Sequence, residues 1–132
     1  MSALAAEGEP RFRNVGIVLG GGKFAEVVWN NDTDKARAFR ERWTAMGSTK
    51  EDFSKVLEKV DPVTYGGLLK GRRVLMIAAK NDEIVLPVCT NALHESIGCE
   101  PELVWLDAGH YTAARYLPRE FVRLAAFFNK SE

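Results

Sequence analysis

The sequence predicts an α/β fold of three layers, in which a parallel sheet of about three strands is flanked by helices. Three short apolar segments are typical of buried strands, and they cover residues 14–20, 74–79 and 103–106. Segments with helical spacing and helix-capping residues lie between these strands and after the last one. Strands that alternate with helices along a chain generally pair in parallel. The 132 residues, of which 46% are hydrophobic, suffice for one domain with a real core.

The three strand segments are marked in different ways. Residues 14–20 form a compact apolar run that is partly β-branched and ends in glycine. Residues 74–79 are apolar without alternation, as expected of a strand that helices cover on both faces, and they give the strongest strand of the sequence. Residues 103–106 give the third strand.

Helices are predicted between the first two strands. Residues 23–29 fit a short helix or a second strand, because periodicity cannot decide over so few residues, and we favour the helix. Thr33 or Asp34 can cap the next helix, since a side-chain oxygen there can accept from unpaired amides of the first turn. That helix is expected to run to about Met46.

Two further helices have recognisable start and stop signals. Ser48 and Glu51 form an S-x-x-E capping box at the start of a helix that ends before Asp61. Pro87 opens a helix that ends near Gly98.

The final helix begins at Pro118. Its apolar side chains Phe121, Leu124, Ala125 and Phe128 recur at intervals of three and four residues, which predicts a stripe that lies against the sheet.

The charges exclude several classes of partner. The 18 basic and 18 acidic side chains cancel, and no run of like charge favours nucleic acid or an anionic membrane surface. The apolar runs are far shorter than the roughly 20 residues of a membrane-spanning helix. The opening segment has neither the basic start nor the long apolar stretch of a secretory signal. We therefore expect a cytoplasmic protein whose partners are small molecules or other proteins.

The two cysteines, Cys89 and Cys99, make no metal-ligand pattern. In a reducing cytoplasm both are expected to be ordinary thiols. The sequence predicts no metal and no cofactor.

A glycine turn follows the first strand and offers a competing interpretation. Gly20-x-Gly22-x-x-Ala25 satisfies the dinucleotide fingerprint, in which a pyrophosphate approaches a helix N-terminus. That fingerprint also requires a second strand ending in an acidic residue, whereas a helix is predicted there. A Walker loop fails because Lys23 is followed by Phe24. We expect the glycines to allow a close turn at the rim of a site.

Asp82 and His110 each follow a predicted strand, and ligand chemistry in such sheets gathers at the carboxyl ends of the strands. A carboxylate that accepts from one imidazole nitrogen fixes the tautomer and leaves the other nitrogen free to take a proton from a nucleophile. An equally simple interpretation is that Asp82 caps the helix near Pro87 and that His110 is a loop residue. Placement alone leaves both open.

The amino-acid sequences of the two loops favour the catalytic interpretation. Residues 82–87, Asp-Glu-Ile-Val-Leu-Pro, resemble the D-x-x-V-x-P acid loop of α/β-hydrolases, and residues 107–110, Asp-Ala-Gly-His, are similar to their D-x-G-H histidine loop. The resemblance is greatest to the esterase and dienelactone-hydrolase-like branches. It implies that Asp82 is the acid of a catalytic triad and His110 its base. Glu83 fits the acid less well, because the family pattern places the carboxylate first in the loop.

The resemblance covers only the C-terminal half of such a domain. It divides residues 1–132, as a single partial domain, into a first strand and glycine turn (14–31), a helical cap-like segment (32–61), and the acid loop, histidine loop and last helix (72–132). Family members carry a G-x-S-x-G nucleophile elbow upstream of a segment like the first strand, and nothing in this sequence matches it.

No residue of the chain is a good substitute for the missing serine. Ser48 is expected to cap a helix, and Ser54 and Ser96 to lie on helix surfaces. Cys89 and Cys99 lie in or just after the helix that follows the acid loop, which is a poor location for a nucleophile.

Three classes of function follow from this pattern. The chain is an esterase-like fragment that is inactive alone, or a split serine hydrolase completed by a partner chain, or a non-catalytic binding or scaffold module. An unpaired apolar strand is a template for another chain. We therefore expect a homo-oligomer, or a complementing N-terminal half, bound through the edge of strand 14–20. The substrate is not predicted.

Overall fold

A computed structural model describes residues 2–98 and 100–130 of the chain. It contains one parallel sheet of three strands in the order β1 (Asn14–Val18), β2 (Arg73–Ala79) and β3 (Glu102–Leu106). Helices cover the sheet on both faces, so the predicted fold class is confirmed. The central strand β2 is buried along its apolar run, as its lack of alternation predicts.

Seven α-helices accompany the sheet in the described part of the chain: α1 (Ser2–Glu7), α2 (Phe24–Trp29), α3 (Asp34–Ala45), α4 (Lys50–Glu58), α5 (Pro62–Tyr65), α6 (Pro87–Ser96) and α7 (Leu117–Asn129). Short 3-10 turns occupy Gly66–Leu69 and Thr112–Tyr116. None of the described helices combines the length and the hydrophobicity that a membrane crossing requires.

The strands and the middle helices lie where the sequence predicts them, with small shifts at their ends. Strand β1 ends at Val18 rather than at Gly20, because Leu19 adopts a positive φ of 49° and turns the chain out of the strand. Residues 24–29 are helical, as favoured. Thr33 caps α3 by accepting from the backbone N–H of Ala36.

The predicted capping box of α4 is wrong by one residue. Thr49 and Asp52 make it, since Thr49 accepts from the Asp52 amide and the Asp52 carboxylate accepts from the Thr49 amide. Ser48 and Glu51 match the same pattern, so the motif alone could not choose between two overlapping registers.

Two helices, α1 and α5, escape the sequence prediction. Helix α1 has only six residues, too few for periodicity to identify, yet Ala3 and Ala6 are buried in the core beneath β1. The Arg72 guanidinium fixes its C-terminal end by donating to the carbonyl of Ala6 at 2.7 Å. Helix α5 begins at Pro62, and the carboxylate of the preceding Asp61 caps it by accepting from the backbone N–H of Val63.

The last helix turns a different side to the sheet than its stripe predicts. Leu124 and Phe127 pack into the core on the β2–β3 face, whereas Phe121 is 60% exposed and Phe128 is 49% exposed. The predicted stripe is therefore only partly buried. Phe128 lies near β1, since a Cβ placed on Gly16 would be 3.4 Å from its ring.

One edge of β1 is unpaired among the described residues. The backbone groups of Arg13 and Leu19 bond to β2, and alternate residues of a parallel strand direct their peptide groups to opposite edges. The N–H and C=O groups of Asn14, Gly16 and Val18 therefore point away from the sheet. We call this row the β1 edge.

A shallow groove of about 220 Å³ lies along the β1 edge on the side of α1. It is lined by Ser2, Ala5, Ala6, Phe12, Asn14, Val15 and Gly16. Small side chains on α1 and the exposed rings of α7 thus border the edge on its two faces.

Candidate active site

The loops that follow β2 and β3 lie side by side. Lys80 donates its backbone N–H to the carbonyl of Leu106 at 2.9 Å, and Asn81 donates to that of Ala108 at 3.0 Å. Because these bonds continue the ladder of the sheet, the acid loop (residues 80–86) is held directly beside the histidine loop (residues 107–111).

The side chains of Asp82 and His110 meet between the two loops. Nδ1 of His110 lies 2.9 Å from Oδ2 of Asp82 and 3.1 Å from Oδ1. Since a carboxylate only accepts at neutral pH, this contact assigns the ring proton to Nδ1. The Asp82 side chain is 2% exposed and that of His110 is 25% exposed, so the pair has a buried side and an open side.

Asp82 is also fixed by its own loop. Its Oδ1 accepts from the backbone N–H groups of Ile84 at 2.9 Å and Val85 at 2.7 Å. Helix α6 begins after Leu86, and Asp82 makes no capping bond to it. The alternative in which Asp82 caps this helix is therefore wrong, and the carboxylate instead orders its own turn and faces the imidazole.

The rings of Tyr111 and His110 meet edge to face, with centroids 5.5 Å apart and an interplanar angle of 81°. Within the described part of the chain, no protein group bonds to Nε2 of His110. The described serines lie elsewhere: Ser2 in α1, Ser48 before α4, Ser54 on the exposed face of α4, and Ser96 at the end of α6. Ser96 donates to the Leu93 carbonyl at 2.7 Å rather than to the imidazole.

The glycine turn after β1 packs on the start of α6. Gly22 donates to the carbonyl of Cys89 at 3.0 Å, and Thr90 donates to the carbonyl of Gly20 at 3.1 Å. A Cβ on Gly21 would lie 2.8 Å from backbone of Cys89, closer than real Cβ contacts come. The glycines therefore serve a close approach between two loops, as the sequence predicts.

The amides that a dinucleotide would need at this turn are already bonded. Asp61, which is 8% exposed, accepts from the backbone of Lys23 at 3.0 Å and Phe24 at 2.6 Å. Its carboxylate thus occupies the N-terminus of α2, where a pyrophosphate would bind in the fingerprint motif. The fingerprint at Gly20 and Gly22 is better explained by this internal contact.

Cys89 is fully buried at the start of α6, and burial, as the main cause, raises the pKa of its thiol to about 11. A thiol with such a pKa remains protonated at neutral pH and is a weak nucleophile. Cys99 lies outside the described residues. Among the described residues, no group of three or more potential metal ligands comes together.

The sequence interpretation of function missed two contacts in this region. Glu83 bonds to the backbone of His110, and Asp61 bonds to the turn after β1. The Asp-Pro pair at residue 61 is a helix-start signal that could have located α5. No local pattern, however, predicts that either carboxylate reaches a loop tens of residues away.

Comparisons with known proteins give similarity in structure but not in sequence. No protein-family model matches the chain, and no curated protein matches it at a significant level. A solved esterase from Pyrococcus furiosus, Pf2001, superposes with a TM-score of 0.62 at 15% identity, over 95% of this chain and 47% of that one.

Two other solved structures are similar to the same extent. The enol-lactonase of Burkholderia xenovorans LB400 gives a TM-score of 0.59 at 16% identity, over 98% of this chain and 61% of that one. A protein designated AbyA5 gives a TM-score of 0.61 at 16% identity, over 95% of this chain and 38% of that one. The three-stranded sheet with its helices thus matches part of the α/β-hydrolase fold, and the chain spans about half the length of the structures it matches.

Proposed function

We propose that this chain supplies the acid and base of a serine-hydrolase site that acts on carboxylic esters, and that the serine comes from a segment outside this sequence. The contact of 2.9 Å between Nδ1 of His110 and the buried Asp82 carboxylate carries the proposal. It is the arrangement in which an imidazole is oriented by a carboxylate and presents its other nitrogen to a nucleophile. The similarity to the fold of an esterase and an enol-lactonase supports the choice of reaction.

Each group would have one task in the reaction. The serine hydroxyl attacks the ester carbonyl while its proton passes to Nε2 of His110, and Asp82 stabilises the imidazolium that forms. The imidazolium then gives this proton to the departing alkoxide, which leaves an acyl-enzyme and an alcohol. Water then reacts in the same way: its proton passes to Nε2 while its oxygen attacks the acyl carbon. The bond between the acyl carbon and the serine oxygen breaks, the imidazolium returns the proton to that oxygen, and the carboxylic acid is released.

We propose that the missing segment pairs with the β1 edge. Its outward peptide groups at Asn14, Gly16 and Val18 can pair with one further strand, and a free apolar strand edge favours such pairing. A strand that pairs there in parallel would end at the same rim as Asp82 and His110. We propose that the occupant is a complementing hydrolase half or a second copy of this chain.

A non-catalytic binding or scaffold module is the second candidate. The observation that favours it is that no serine of the described residues bonds to His110. In that case the edge would assemble a complex while the Asp82–His110 pair only joined two loops.

The experiment combines an esterase assay with a covalent serine probe. The chain alone should neither hydrolyse p-nitrophenyl acetate nor react with a fluorophosphonate probe. Co-expression with the product of the upstream reading frame should give activity and label only that product. Labelling of this chain alone would refute the assignment of the nucleophile, and an inactive, unlabelled complex would leave the scaffold role.

A further inference from the structure

Glu83 contacts the histidine loop at a point that Asp82 does not reach. Its Oε2 accepts the backbone N–H of His110 at 3.0 Å. The neighbouring Asp82 contacts only the ring of the same residue. Two consecutive carboxylates thus hold His110: Asp82 bonds to its imidazole ring, and Glu83 bonds to its backbone amide.

The contact with Glu83 also depends on Gly109. A Cβ on Gly109 would lie 2.7 Å from Oε2 of Glu83, which is closer than Cβ atoms approach other groups. The glycine of the histidine loop therefore leaves the space that the Glu83 carboxylate occupies. Thr112 closes the other side of the loop by accepting from the backbone of Gly109 at 2.9 Å.

We infer that Glu83 is a positioning residue for the base of the proposed site: through the His110 amide it sets the place from which the imidazole meets Asp82. This inference rests on the proposed function, because positioning matters only if His110 transfers protons. A ring reaches its acceptor at hydrogen-bonding distance only if its backbone is held to within a few tenths of an ångström. Asp82 bonds only to the ring, so the bond to Glu83 adds a direct restraint on the main chain of His110.

The electrostatics agree with this geometry. The hydrogen bond from the His110 amide, as the largest cause, lowers the pKa of Glu83, so the side chain is ionised and accepts strongly at neutral pH. Glu83 is exposed, so water can hydrate its charge, and desolvation opposes the contact less than the hydrogen bond favours it.

The test uses nuclear magnetic resonance on the whole chain, with Glu83→Ala and Glu83→Gln as a matched pair. Glutamine keeps an oxygen that can accept the amide, whereas alanine removes it. We expect Glu83→Ala to speed hydrogen exchange of the His110 amide by about tenfold. It should also weaken the low-field resonance of the Nδ1 proton and raise the fraction of the other tautomer. Glu83→Gln should restore both signals.

The ring signals make the test specific, because loss of a merely structural bond would change exchange but not the tautomer. Wild-type tautomer fractions in Glu83→Ala would overturn the inference, and so would failure of Glu83→Gln to restore them. The variant Asp82→Asn distinguishes a failure of the Glu83 inference from a failure of the proposed function. It should abolish the ring signature while amide protection persists, and an unchanged ring signature in Asp82→Asn would instead refute the Asp82–His110 pair itself.

Discussion

The rim that carries Asp82 and His110 and the β1 edge are built in opposite ways. At the rim, loop amides bond to each other, to Asp82, or to Glu83, and glycines allow the loops to touch. At the β1 edge, the outward peptide groups have no partner in the described chain, and apolar rings of α7 remain exposed. The loops that hold the acid and base are thus fixed by hydrogen bonds within the chain, whereas the edge proposed to pair with the nucleophile segment has unpaired peptide groups in the described residues.

Substitutions in the two regions should therefore have different effects. Changes at the rim should alter chemistry or destabilise the chain itself, because the loop amides and the Asp82 carboxylate are already bonded within the chain. Changes at the β1 edge should leave the isolated chain nearly unaffected and act only on association. Four predictions test that contrast.

The largest effect is expected from Asp82→Asn in the assembled enzyme. Asparagine presents an amide N–H where the imidazole needs an acceptor, so the wrong tautomer of His110 would face the serine. Ester hydrolysis should fall by about a thousandfold or more. Steady-state assays of the co-expressed complex measure this, with the exposed Glu95→Gln on α6 as a control that keeps full activity. Comparable activity in Asp82→Asn would remove the acid from the mechanism.

The next effect is on stability, from Gly22→Ala at the glycine turn. An added Cβ would lie 2.8 Å from Oδ1 of Asp61 and would overlap the side chain of Val63. We expect the free energy of unfolding to fall by about 2–3 kcal/mol. Gly67→Ala is the matched control, since a Cβ there meets nothing within 4 Å. Urea unfolding of both variants measures the difference, and equal losses would show that the turn is not tightly packed.

A buried carboxylate behind the sheet predicts a pH dependence of similar size. Glu7 on α1 is 6% exposed, and neither of its carboxylate oxygens has a bonding partner in the described chain. Burial, as the main cause, and then the nearby Asp61 raise the pKa of Glu7 from 4.5 to about 7. Because the folded state binds this proton more tightly than the unfolded state, the contribution of Glu7 to stability is greatest below pH 4.5 and is lost as the pH rises through about 7.

The corresponding variant is Glu7→Gln, which has no charge to bury. Above pH 7 it should be more stable than the parent chain by about 2 kcal/mol, and the advantage should vanish near pH 4.5. Urea midpoints at both pH values check this, and Glu9→Gln, close in sequence but better solvated, should show no such gain. A pH-independent difference between Glu7→Gln and the parent would contradict the assigned titration.

The same contrast explains what sequence reasoning could reach. The strand ends that carry Asp82 and His110 were predictable, because apolar runs locate strands and parallel pairing brings their carboxyl ends together. Contacts between distant loops were not, and so the bonds of Glu83 and Asp61 were missed. The side of α7 that faces the sheet was also predicted wrongly in part. Its apolar residues cover more than one face, and periodicity cannot tell which of them meets the core.

The smallest effect on the isolated chain, and the sharpest test of the β1 edge, is expected from Val18→Lys. Val18 is 37% exposed at the end of β1, so a lysine there can reach water and should change the stability of the monomer by less than about 0.5 kcal/mol. A charge on a free strand edge blocks the approach of another strand, however. The parent chain should therefore associate at micromolar concentration in light scattering, and Val18→Lys should be monomeric. Val56→Lys places the same charge at another exposed valine, on α4, and should associate like the parent. A parent chain that stays monomeric, or equal behaviour of the two lysine variants, would show that the edge is not a docking surface for a second copy.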